Sequence, residues 1–181
     1  EIETIMENVE RIKDDPRRED ECNRLLDKVV ELNEKRHAKP GEHISMLLKV
    51  GEAQRLAGRW KDAKTTYQDL ATQYMQEYGV MTPQQTREML TSMSESAYQL
   101  GRMDMAIDLG EGAIEMNRYF PWSHKFVALA KLAENDLEGA RQTAAEAVIY
   151  EAPWDDKHKE KVQQWYRDTF MPTAEGNALE G

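Results

Sequence analysis

Residues 58–70 read GRWKDAKTTYQDL, residues 101–113 read GRMDMAIDLGEGA, and residues 135–147 read NDLEGARQTAAEA. Each stretch opens on a residue that accepts the left-handed backbone region: Gly58, Gly101 and Asn135. A tight helix-turn-helix needs one such residue, because glycine has no Cβ to clash and asparagine tolerates the conformation. Five residues later each stretch carries an alanine, Ala63, Ala106 or Ala140. That is where two antiparallel helices leaving the turn must cross, and a methyl group lets them approach. The three stretches predict the second helices of three helix pairs.

The first helices lie upstream of those turns. Pro40, Pro83, Pro121 and Pro153 stand 43, 38 and 32 residues apart with long proline-free stretches between them. Proline breaks helix interiors but suits the first helical turn, so these residues punctuate repeating units. Between Pro40 and Gly58 apolar residues fall at Ile44, Leu47, Leu48 and Leu56, with Gly51 among them. Between Pro83 and Gly101 the same spacing runs through Met89, Leu90, Met93, Ala97 and Leu100, and after Pro121 through Val127, Ala128 and Leu132. Spacing of three and four residues marks one face of a helix. The partner helix of the first unit continues the pattern with Tyr67, Leu70, Ala71, Tyr74 and Tyr78. Thr82-Pro83-Gln84-Gln85 reads as a capping box with proline at the first helical position. A period of this length predicts a helical solenoid.

The three stretches resemble the second-helix signature of the tetratricopeptide repeat, and Leu47, Val50 and Gly51 match its first-helix part. Leu90, Met93 and Ser94 hold the same places in the next unit, and His124, Val127 and Ala128 in the third. Ala63 and Ala106 are 43 residues apart, whereas Ala106 and Ala140 are 34 apart. Extended repeats of that longer kind are similar to those of kinesin light chains. The resemblance covers residues 40–153 and implies an all-α, right-handed α-solenoid of antiparallel helix pairs. Repeats are expected at about 40–82, 83–120 and 121–153.

The flanks read as partial units. Ile2, Ile5, Met6, Val9 and Ile12 form one stripe, and Cys22, Leu25, Leu26, Val29 and Val30 form another, so residues 1–39 are expected to make a divergent N-terminal pair. Asp155 and Asp156 suit a helix N-terminus, opening a capping helix over 154–172 with Trp154 and Trp165 as anchors. Residues 173–181 are expected to be a flexible tail. Residue 1 is Glu, so the chain reads as a processed or excised piece of something longer.

Composition narrows the function. The 181 residues carry 24 Lys+Arg against 34 Asp+Glu, a formal charge of -10, which argues against a nucleic-acid partner. With 40% hydrophobic residues there is material for a core, yet no run is long enough to insert in a membrane. One cysteine, Cys22, on an apolar stripe, reads as a buried small hydrophobe. His37, His43, His124 and His158 are scattered without metal-ligand spacing, and His124 reads as packed between repeats. No HExxH, GxSxG, GxGxxG or P-loop is present, so no catalytic residue, metal or cofactor is expected. A soluble, intracellular protein of the cytoplasm or an organelle interior is the expectation.

The tetratricopeptide resemblance implies that first helices line a peptide-binding groove. Counting from the turns, that groove would present Leu48, Glu52 and Arg55, then Glu88, Glu95 and Tyr98, then Trp122, Lys125, Phe126 and Leu129. Ser45, Thr91 and Ser92 would lie beside them. Family members that clamp acidic C-termini use Lys and Asn at the first-unit positions where Leu48 and Glu52 stand here. Glu88 and Glu95 would repel acidic peptides, so a basic or aromatic-bearing partner segment fits better. The expected function is a non-catalytic interaction scaffold, a subunit or assembly factor of a larger complex. A transient peptide-binding adaptor is the alternative, and a non-catalytic part of an enzyme whose active domain lies elsewhere is a remote one.

Overall fold

The computed structural model describes residues 1–34, 40–77, 81–149 and 156–180. They are all-α: α1 (Ile2–Ile12), α2 (Glu19–Glu34), α3 (Pro40–Leu56), α4 (Trp60–Glu77), α5 (Pro83–Gln99), α6 (Met103–Met116), α7 (Pro121–Ala133), α8 (Leu137–Ile149), α9 (Asp156–Trp165) and α10 (Met171–Glu180). No strand occurs among the described residues. Within each unit neighbouring helices pack in series, as in a helical-repeat solenoid. The chain divides into two compact units, Glu1–Gln85 and Thr86–Gly181.

The turns are built alike. Gly58, Gly101 and Asn135 have φ of 69°, 73° and 63°. At each, the following N–H reaches back across the turn: Arg59 donates to the Gln54 carbonyl at 2.8 Å, Arg102 to Ala97 at 2.9 Å and Asp136 to Lys131 at 2.9 Å. The turn residue's own N–H bonds to Arg55, Tyr98 or Leu132 three residues back. These paired bonds satisfy carbonyls that a helix end would leave orphaned. The next helix starts at once, with Ala63 donating to Arg59, Ala106 to Arg102 and Ala140 to Asp136. Helices joined by so short a link and packed on each other are antiparallel. Ala63, Ala106 and Ala140 are all 0% exposed, so the helix crossings stand where the sequence places them.

The other ends follow the sequence as well. Pro40, Pro83 and Pro121 are each the first residue of a helix. The capping box at Thr82 forms in both directions, Gln85 N–H to Thr82 Oγ1 at 3.2 Å and Thr82 N–H to Gln85 Oε1 at 3.0 Å. Pro153, Trp154, Asp155 and Tyr78 lie outside the described residues, as do the side chains of Tyr74, His37, His43 and His158.

In the first unit the stripe Ile2, Ile5, Met6, Val9 and Ile12 is wholly buried against Cys22, Leu26 and Val29 of α2 and Met46, Val50 and Ala53 of α3. Burial also pushes the Cys22 thiol above its usual range. Deeper along α3, Gly51 leaves room for the Tyr67 ring of α4, since a Cβ there would stand 2.5 Å from it. Between α1 and α2 the connection differs from the other turns: a short 3-10 turn, Pro16–Arg18, whose first N–H is capped by Asp15.

In the second unit alanines pack the α7–α8 contact: Ala128, Ala140, Ala144 and Ala147. Val162, Trp165 and Phe170 close over them, the role foreseen for a capping helix. The expected tail, 173–181, differs from the structure, because helix continues to Glu180 and Ala174 is buried in the same core. Weak local propensity at Gly176 and Asn177 is overridden by tertiary packing. A π turn, Tyr166–Phe170, joins α9 to α10, with Met171 N–H bonded to the Tyr166 carbonyl. Pro172 has no N–H to give, and a widened turn is one way a helix passes such a gap.

Gly101 tests the turn argument cleanly, since a Cβ there meets nothing within 4 Å and only φ opposes it. Gly101→Val is expected to lose about 1 kcal/mol or more in urea unfolding, and Gly58→Val the same. Neutral results at both positions would remove the strain argument.

Candidate functional site

Two surfaces emerge on the first helices of the pairs, one in each unit. In the first unit α1 and α3 border a cleft of about 770 Å³ lined by Glu3, Met6, Glu7, Asn8, Glu10, Arg11, Lys49 and Glu52. Lys49 Nζ crosses it to Glu3 at 3.2 Å, and Lys13 pairs with Glu10 at 2.9 Å. Four glutamates against Arg11 and Lys49 leave the lining acidic. Glu52 is the half-buried member, and desolvation holds its carboxyl above the usual carboxylate range. Arg55 pulls the value down while Glu10 pushes it up further.

Of the groove residues foreseen for this unit, Glu52 lines the cleft, whereas Leu48 and Arg55 are half-buried outside its lining. Glu3, Glu7 and Glu10 escaped the sequence reading. Their helix carries no turn signature from which to count groove positions, although the polar residues between Ile2, Met6 and Val9 could have exposed them as the opposite face of the stripe.

In the second unit α5, α7 and α9 meet through aromatic rings. Tyr98 of α5 lies 6.4 Å from Phe126 of α7, centroid to centroid and tilted. Lys125 Nζ stands 5.4 Å from the Phe126 centroid, 5.6 Å from Trp122 and 6.0 Å from Trp165 of α9. A cation above ring faces is attracted by their quadrupoles, by about 0.5–1 kcal/mol where solvent reaches it. Trp165 tilts against Phe170 at 5.6 Å, and Tyr166 stacks on Phe170 at 5.9 Å. Trp165 is only 8% exposed, yet its indole N–H has no acceptor.

The structure thus brings Tyr98, Trp122, Lys125 and Phe126 together. Leu129 packs beside Trp122 on the same core. Phe126 is buried and forms the floor of the face, not its rim. Thr91, placed in the groove by sequence, is instead buried and bonded to Ser123 of α7 at 2.8 Å. Glu88 stands 3.8 Å from Arg87, and Glu95 is half-buried on α5. Trp165 was foreseen as a cap anchor; that it also joins the lysine-aromatic set was not.

Comparison with known proteins agrees with this architecture. No protein-family model matches the chain, and no curated protein matches it. The structure of BtubC (BKLC) from P. vanneervenii, a kinesin light chain-like protein, is similar with a TM-score of 0.53. The likeness covers 89% of this chain and 69% of that one at 14% sequence identity. It shows the fold, an all-α helical repeat of tetratricopeptide-like kind. No described helix is long and apolar enough to cross a membrane.

Glu52 gives a pH-dependent expectation. A carboxyl held above its unfolded value favours the folded state when protonated and loses that contribution as pH rises through the folded value. Glu52→Gln is therefore expected to be more stable than the parent near pH 7, with the difference fading below about pH 4. Thermal melts across that range check it, and a less stable variant at pH 7 contradicts it.

Proposed function

We propose that this chain is a non-catalytic scaffold that holds partner proteins against the exposed faces of its first helices, as a subunit or assembly factor of a larger assembly. The observation that carries the reading is the second-unit face, where Lys125 stands over the Trp122, Phe126 and Trp165 rings and Tyr98 meets Phe126. Tryptophan and tyrosine are the usual anchors of protein interfaces, because they combine large apolar area with a polar tip. Stacked helix pairs present such groups along an extended surface without a deep pocket.

A second reading, a transient adaptor resembling kinesin light chains, is favoured by the first-unit cleft. Its glutamates would complement a basic segment, and charge pairing of that kind speeds encounter while leaving affinity modest and salt-sensitive. Keeping Glu52 half-buried at some expense to folding is consistent with a role beyond stability.

The tagged chain recovered gently from its native source, with its companions quantified by mass spectrometry, separates the two. Companions held near one-to-one through high salt support the scaffold, and variable ones lost at modest salt support the adaptor. Purified partner is then titrated against Lys125→Glu and Glu52→Lys, both half-exposed positions. A scaffold seated on the aromatic face is expected to lose tenfold or more in affinity with the first, as for an interface hot spot. An adaptor loses it with the second. Equal binding by parent and both variants sinks both assignments.

A further inference from the structure

His124 occupies the helix that carries the lysine-aromatic face, one residue before Lys125, and is 0% exposed. Its two ring nitrogens have unequal surroundings. Nδ1 lies 3.2 Å from the Phe120 carbonyl one turn earlier, a distance at which it donates its proton to that oxygen. The ring then bears a bare lone pair on Nε2, which has no hydrogen-bond partner. Facing it at 3.9 Å is Oε2 of Glu146 on α8. Two acceptors confront each other across the α7–α8 contact with no proton between them.

Among the charged groups of the described residues around α7, Arg87 of α5 lies over the Phe120 ring, 4.3 Å from its centroid. α5 also meets α7 through Thr91, whose hydroxyl bonds to Ser123. α6 presents Glu111, paired with Lys131 at 2.8 Å, two turns along α7. α9 presents Trp165 at Lys125. Glu146 is the charged group that acts on the imidazole.

We infer that His124 makes the α7–α8 joint an acid-responsive element, closed while the imidazole is neutral and loosened when Nε2 takes a proton. An imidazolium in that setting is charged without water, and Glu146 at 3.9 Å is too far to accept a full hydrogen bond. Relief comes from parting the two helices enough to hydrate the ion or to draw Glu146, which is 34% exposed, onto it. Desolvation is the dominant influence on this histidine and holds its proton affinity below the ordinary value. The unfolded chain therefore binds the proton more readily, and stability is kept above about pH 6.5 and lost as pH falls below it. Trp122, Lys125 and Phe126 ride on the same helix, so the face they form is expected to shift with the joint.

The test is hydrogen exchange of the full chain at pH 7.5 and 5.5, corrected for intrinsic rates, with the histidine ring and Trp122 and Trp165 indole signals followed by NMR. Amides of α7 and α8 are expected to lose protection several-fold at the lower pH while α1 and α2 keep theirs, and the His124 ring to titrate below the ordinary histidine range. Glu146→Gln removes the carboxylate that favours the imidazolium and offers neutral Nε2 an amide donor, so the acid effect is expected to persist or grow. His124→Gln removes the titration altogether and is expected to abolish the acid effect if that variant folds. Titration of His124 at its ordinary value with protection unchanged overturns the proposal. So does an acid response that is weaker in Glu146→Gln than in the parent, or one that survives intact in a folded His124→Gln.

Discussion

Everything in this fold hangs on a backbone constraint. A chain that reverses direction between two helices within three residues must put one residue at positive φ, and the structure does so at Gly58, Gly101 and Asn135. The reversal sets where the next helix begins, and that start sets which residue sits at the crossing. The crossing lets in only a small side chain, hence the buried alanines at 63, 106 and 140. The bond from the residue after the turn to the carbonyl five positions back is the same at all three sites. Repeated local geometry, more than any shared core residue, is what makes these units equivalent.

This explains why so much of the fold was legible. Turn residues, helix-opening prolines and capping boxes act locally, so their residue types declare them. The stripe Ile2, Ile5, Met6, Val9 and Ile12 declared itself for a similar reason, since one face of one helix does all the burying. Legibility failed where the cause was distant. Met46 and Ala53 are buried in α3 though the apolar count favoured Leu47 and Leu48, because α1 and α2 as well as α4 claim that helix. The last helix gave no periodic signal, as a buried Ala174 beneath Phe170 holds it in place of a stripe of its own.

The candidate surfaces divide along the same line. Trp122, Lys125 and Phe126 were placed by counting from a turn; Lys125 lies near both rings, while Phe126 is buried. Tyr98 and Trp165 reach the same spot from helices whose approach depends on packing, so only Tyr98, itself counted from Gly101, was foreseen there. The α1 glutamates that complete the acidic cleft had no turn to count from. Sequence periodicity reports which residues a helix turns outward, but the neighbour that they face is a property of the stack.

Charge placement sharpens the contrast between the units. In the first, a carboxylate is kept half-buried among other acids, a setting that favours its protonated form. In the second, a histidine is kept neutral against a carboxylate, which disfavours its protonated form. Both arrangements oppose folding slightly at the pH where each group would be charged, and neither is required by the turn geometry that makes the repeat. A repeat built only for stability would place apolar or fully solvated residues at Glu52 and His124. Each group sits on a first helix beside one of the two candidate surfaces, Glu52 in the lining of the acidic cleft and His124 next to Lys125 in sequence.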